Sequence, residues 1–206
     1  MRRNTMLKRL SPYWLWALLT ILPALWVYNA LTSTNSRIIH ILVHPSGEFA
    51  ARVLIITLMM TPLALLFSGK PFARWLRKNR RYFGVAAFAY AALHTYFYYI
   101  DKGSVERMID ELPRLYIWTG WIALIIFIPL AITSWDYFVR RMGPAWKWLQ
   151  RGVYLAAILT LIHWASLHNW DHPSIAYIHF APLVLLEIYR IAHWMRRRKN
   201  RVLQKV

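Results

Sequence analysis

Six stretches of about 18–20 residues, each nearly free of charge, follow one another with only short polar connections, and that pattern leaves little choice of fold. They run approximately over Ser11–Ala30, Glu48–Phe67, Tyr82–Ile100, Leu115–Thr133, Leu149–Leu167 and Ser174–His193. A bilayer core of about 30 Å needs roughly 20 apolar residues at about 1.5 Å per residue, so each run can cross once. The expected fold is therefore an all-α integral membrane protein, a bundle of six transmembrane helices. Residues 1–206 form a single domain in this reading, with no stretch left over for a soluble one. The chain is 58% hydrophobic and carries 12 Trp, 12 Tyr and 9 Phe, which fits lipid surroundings.

A formal net charge of +18 from 26 basic and 8 acidic residues could signal nucleic acid, but the positions of the cations exclude that reading. Arg2, Arg3, Lys8 and Arg9 precede the first span, and Lys70, Arg74, Arg77, Lys78, Arg80 and Arg81 fill the second connection. Arg140, Arg141, Lys147 and Arg151 lie around the fourth, and seven more follow from Arg190 to Lys205. Only Arg37, Arg52, Lys102, Arg107 and Arg114 fall on the other side, with Asp101, Glu106, Asp110, Glu111 and Asp171. The excess of cations on cytoplasmic loops thus predicts cytoplasmic N- and C-termini. The expected location is a bacterial inner membrane, with the lipid bilayer and its headgroups as the partner of the charge. The basic start could also be read as a secretory signal, but its apolar run exceeds the about 7–15 residues of such a segment and the topology closes only if it stays. With no cysteine, disulfide relays, thiolate-bound zinc, iron–sulfur clusters and covalently attached haem are excluded.

Ionisable groups inside a membrane are costly and point to function. His94 lies about 13 residues from the basic end of span three, and His163 about 13 residues beyond Gln150 in span five, which puts both roughly 20 Å deep. Along a helix, the face of His94 reads Gly84, Ala87, Ala91, His94; the face of His163 reads Gly152, Ala156, Thr160, His163. Two readings are open. Small stripes allow tight helix packing, and small stripes that each end in an imidazole at one depth also suit a flat macrocycle, a haem with His94 and His163 as metal ligands.

The other histidines carry less. His40, His44, His168 and His172 fall in or beside outer connections, and HPSGEF (44–49) and the His172-Pro173 pair read as turn and helix-start chemistry. His179 could line a haem pocket or an outer quinone pocket, and His193 is interfacial. Arg52 either pairs with Glu48 four residues earlier or meets a haem propionate. Tyr and Trp at the span ends form an interfacial belt.

Taken in order, GEFAARVLIITLMMTPL (47–63), RRYFGVAAFAYAALHTYFYY (80–99), YIWTGWIALIIFIPLAITS (116–134) and GPAWKWLQRGVYLAAILTLIHW (143–164) resemble the MsrQ (YedZ) family of ferric-reductase-like transmembrane haem proteins. The resemblance implies haem b held by His94 and His163, and electrons passing to a periplasmic redox partner, a molybdoenzyme that reduces methionine sulfoxide in proteins. It also implies a flavin reductase or quinol as donor, with FMN or quinone as further cofactors. The family's pattern has a second histidine where WKWLQ ends in Gln150, so one haem is expected rather than two. No nucleotide-binding fingerprint is present, which suits an electron-transfer subunit rather than a self-contained enzyme. The rival readings are a quinol-linked one-haem subunit of another membrane complex and a haem-free accessory subunit. A transporter fits less well, because paired acidic residues and interrupted helices are not evident.

Overall fold

The computed structural model describes residues 12–203, and among these every regular element is helical. Ten elements follow in order: α1 (Tyr13–Thr32), α2 (Ile38–Leu66), α3 (Pro71–Lys102), α4 (Val105–Asp110), α5 (Leu115–Ile132), α6 (Asp136–Met142), α7 (Pro144–Gln150), α8 (Gly152–Ala165), a 3-10 turn (Leu167–Trp170) and α9 (Pro173–Leu203). Four of them are long and apolar enough to cross a membrane: α1, α2, α5 and α9 over Pro173–Asn200.

The other two expected spans have visible reasons for standing apart. α3 carries five tyrosines between Tyr82 and Tyr99 and begins in the basic segment that the sequence assigned to a connection. The predicted fifth span is broken at Arg151, leaving the seven-residue α7 and the 14-residue α8.

α2 begins ten residues earlier than its apolar run, so HPSGEF lies inside a helix and not in a turn. Proline is tolerated within membrane helices, and the Ser46 hydroxyl beside it is bonded within the helix, donating to the Val43 carbonyl at 2.8 Å. α9 does start at Pro173, as the His172-Pro173 pair predicts. Gly103 closes α3 in the left-handed region at φ 72°, and the Ser104 hydroxyl then accepts the Arg107 N–H to open α4.

Two antiparallel pairs position the site. α2 packs along α3, so that Val43 near the start of one meets His94 near the end of the other. α5 packs along α8 in the same sense, with Tyr116 meeting His163. α9 lies against α2 and α8 and ties the pairs together. Leu54, Leu58, Ala87, Tyr90, Phe127, Ala156 and Phe180 are among the residues of the shared core. α1 is peripheral, buries only Leu15, and is held in part by the Tyr90 hydroxyl, which donates to the Leu19 carbonyl at 2.7 Å.

Candidate functional site

His94 and His163 come together between the two pairs, with ring centroids 6.2 Å apart and planes at 79°. Each ring is fixed by a helix other than its own. His94 Nδ1 lies 2.9 Å from the carbonyl of Val43 and 3.3 Å from Ser46 Oγ on α2. His163 Nδ1 bonds the carbonyl of Tyr116 on α5. A carbonyl only accepts, so each Nδ1 carries the proton and each Nε2 keeps its lone pair.

The supporting carbonyls follow a common rule. Val43 stands four residues before Gly47, and Tyr116 four before Gly120, so carbonyl and glycine share a helix face one turn apart. The imidazoles lie on those glycines. A Cβ on Gly47 would stand 2.8 Å from His94 Cε1, and one on Gly120 would stand 2.7 Å from His163 Nδ1. Only a residue without a side chain leaves room for the ring beside the carbonyl that holds it.

The predicted stripes are packed less tightly than these cradles. Ala87 and Ala156 are fully buried in the core, Ala91 packs against it, and Thr160 turns its hydroxyl back onto the Ala156 carbonyl at 2.8 Å. A Cβ on Gly84 or on Gly152 would meet its first neighbour at 3.6 Å, an ordinary contact. Gly47 and Gly120 were missed by the sequence reading, which followed each histidine's own helix. The available signal was a lone glycine inside an apolar helical pattern, the usual mark of a close approach.

Arg52 forms the ion pair its spacing allows, at 2.9 Å to Glu48, and its Nε donates to His179 Nε2 at 3.3 Å. The His179 ring stands 4.9 Å from that of Trp164, the neighbour of His163. His40 reaches Asp101 at 3.1 Å on the surface, His44 is exposed, and His172 lies 3.5 Å from Asp171. The His168 side chain lies outside the described residues. His193 packs beside Tyr189 with a buried Nε2 that has no partner among the described residues. Gln150 is committed to the scaffold: its amide donates to the Leu130 carbonyl at 3.0 Å and to Thr133 Oγ1 at 3.3 Å.

Residues 46–161 match the family described as "Ferric reductase like transmembrane component". A protein of Herminiimonas arsenicoxydans named "Protein-methionine-sulfoxide reductase heme-binding subunit MsrQ" is 35% identical over 166 residues, 77% of this chain and 73% of its own length. Relatives of the same name from Brucella anthropi and Brucella ovis are each 32% identical, covering 84% and 90% of this chain and 79% and 85% of their own. The chain belongs to the MsrQ family of ferric reductase-like membrane proteins. The family match begins at Ser46 and ends at Leu161, so it takes in α3 with His94, both glycine cradles and most of α8, and stops just short of His163. No solved structure matches the chain.

The donor set suits an iron porphyrin. Two imidazoles brought to 6.2 Å between ring centroids, each with an unprotonated Nε2, would be able to serve as nitrogen donors to the iron. Both histidines also have the backbone partner on the second nitrogen that metal-bound imidazoles regularly use.

Proposed function

We propose that this chain is the membrane-bound, haem b-binding electron-transfer subunit of a methionine sulfoxide reductase system, in which His94 and His163 would hold the iron of one haem. The observation that carries the reading is the imidazole pair, 6.2 Å between centroids with each Nδ1 tied to a backbone carbonyl. The names of the relatives support both the haem and the reductase partner. When bound, the haem would supply one-electron redox chemistry at this site.

The protein's own contribution is orientation and environment. Val43 and Tyr116 hold a proton on each Nδ1 and so leave the lone pair of each Nε2 for a ligand bond. Gly47 and Gly120 let the rings approach α2 and α5 closely. The apolar flanks, Ala87 and Ala156 among them, exclude water around the pair. A rigid frame of this kind keeps reorganisation small when charge arrives or leaves.

In the full reading six spans cross a bacterial inner membrane with the basic ends in the cytoplasm. Electrons from a flavin reductase or quinol pass to a periplasmic molybdoenzyme. One haem is expected rather than two, because Gln150 stands where the family has a second histidine and its amide is bonded to α5. The decisive experiment is the visible spectrum of the purified chain. Wild type should give a low-spin bis-imidazole haem; His94→Ala and His163→Ala should each lose it, and His40→Ala should keep it. Retention of that spectrum in both core variants would overturn the ligand assignment, and a colourless wild type would favour the haem-free accessory reading.

A further inference from the structure

At the basic end of the bundle, α2, α3, α5, α7 and α8 enclose a cavity of about 340 Å³ whose rim carries Arg77, Arg80, Arg81, Lys147 and Arg151. None of the residues lining it is a histidine, so it offers iron no imidazole. Arg81 is paired with Asp136, and the charge of Arg80 acts on Glu187 of α9, which is itself paired with Arg190. Among the described residues, Arg77, Lys147 and Arg151 pair with no carboxylate. All three are exposed at the mouth. The interior is largely apolar: Leu54 and Phe127 are core residues and Val153 packs against the same core, beside the polar Thr57, Ser134 and Gln150. Three unneutralised cations over an apolar shaft form a receptor for an anion that carries a hydrocarbon body.

We propose that this cavity binds one anionic phospholipid, its phosphate among Arg77, Lys147 and Arg151 and an acyl chain along Leu54, Phe127 and Val153. Basic pockets between membrane helices are suited to such headgroups, which free cations at the surface hold only loosely. A soluble phosphate ester would satisfy the same cations but leave the apolar floor uncovered, which favours the lipid.

The test uses the full chain, purified with its haem in mild detergent. Phosphatidylglycerol, cardiolipin and phosphatidylcholine are titrated in turn, and bound lipid is counted by native mass spectrometry. One anionic lipid should bind in preference to phosphatidylcholine. Combined Arg77→Gln, Lys147→Gln and Arg151→Gln should weaken it on the order of 100-fold, since each basic residue near a membrane surface contributes several-fold. Arg196→Gln, Arg197→Gln and Arg198→Gln remove the same charge from the exposed end of α9 and should change it only slightly. Ala131→Phe, which fills the cavity and keeps every charge, should also displace the lipid and serves if the triple variant does not fold. Equal losses in the two charge variants, or no preference over phosphatidylcholine, would overturn the proposal. So would displacement of the lipid by inorganic phosphate or FMN, which would assign the cavity to a soluble phosphate. The haem spectrum, read in the same samples, reports separately on the histidine pair.

Discussion

Alanine at Gly47 would place a methyl group 2.8 Å from Cε1, 2.9 Å from Nδ1 and 3.2 Å from Nε2 of His94. Ordinary contact begins at 3.4 Å, so the ring must retreat by about 0.6 Å. That motion acts on the bond that holds the ring. A Nδ1–carbonyl distance of 2.9 Å stretched by the same amount reaches the limit of a hydrogen bond. Overpacking of this size costs about 1–3 kcal/mol, which a membrane bundle can survive. Losing the partner of a metal-bound histidine costs about 10–100-fold in metal affinity. The expected result for Gly47→Ala, and for Gly120→Ala with its 2.7 Å approach to His163, is a folded chain with haem affinity reduced by that factor. Gly84→Ala and Gly152→Ala meet their neighbours at 3.6 Å and should bind haem as wild type does. Haem titration of the four variants, followed at the Soret band, measures the difference. Wild-type affinity in both cradle variants would refute the argument that the glycines seat the ligands, and equal losses in all four would reduce it to general helix packing.

A pyridine haemochrome assay should give about one haem per chain. Gln150→Ala should leave that ratio unchanged while lowering thermal stability by about 0.5–1.5 kcal/mol per bond lost, because its amide ties α7 to the end of α5. A reporter fused after Val206 should read as cytoplasmic and one inserted at Gly103 as periplasmic; the reverse would invert the six-span reading. Glu111 supports the segment around α4, binding Lys102 at 2.8 Å, Arg114 at 3.0 Å and the Tyr98 hydroxyl at 2.7 Å. Burial pushes its carboxyl pKa up, but the bonds from Lys102 and Tyr98 and the charges of Lys102 and Arg114 together outweigh this and hold it below the ordinary value. A depressed carboxyl stabilises the fold fully above its unfolded pKa of about 4.3, and that contribution is lost as pH falls through the lower folded value. The protection factor of the Val105–Asp110 amides, corrected for the slower intrinsic exchange in acid, should therefore fall as pH is lowered, and Glu111→Gln should remove that acid step; an unchanged profile in the variant would show that another group controls it.

Much of this architecture was written along the chain, because burial in lipid acts on each segment separately. Most apolar runs of bilayer length form helices whatever their neighbours are, although the fifth is divided at Arg151. Imidazoles at positions 94 and 163, in otherwise apolar stretches, could be picked out for the same reason. Helix boundaries were less legible. Pro45 and Ser46 read as a turn, yet α2 runs through them, with the Ser46 hydroxyl turned back onto the Val43 carbonyl within the helix.

What only the tertiary structure decided was which backbone each imidazole meets. Periodicity locates the face of His94 on α3, but not that Gly47 and the Val43 carbonyl of α2 lie against it, nor that Gly120 and Tyr116 of α5 do the same for His163. Those partners stand 51 and 47 residues away in sequence. A helix's own pattern records how wide its neighbour's approach can be, and not which turn of which helix approaches. Gln150 is similar: its amide could have faced the bundle interior, and the packing of α7 against α5 turned it onto Leu130 and Thr133. The chemistry of the site was thus fixed by residue type, and its geometry by contacts between helices that no single segment encodes.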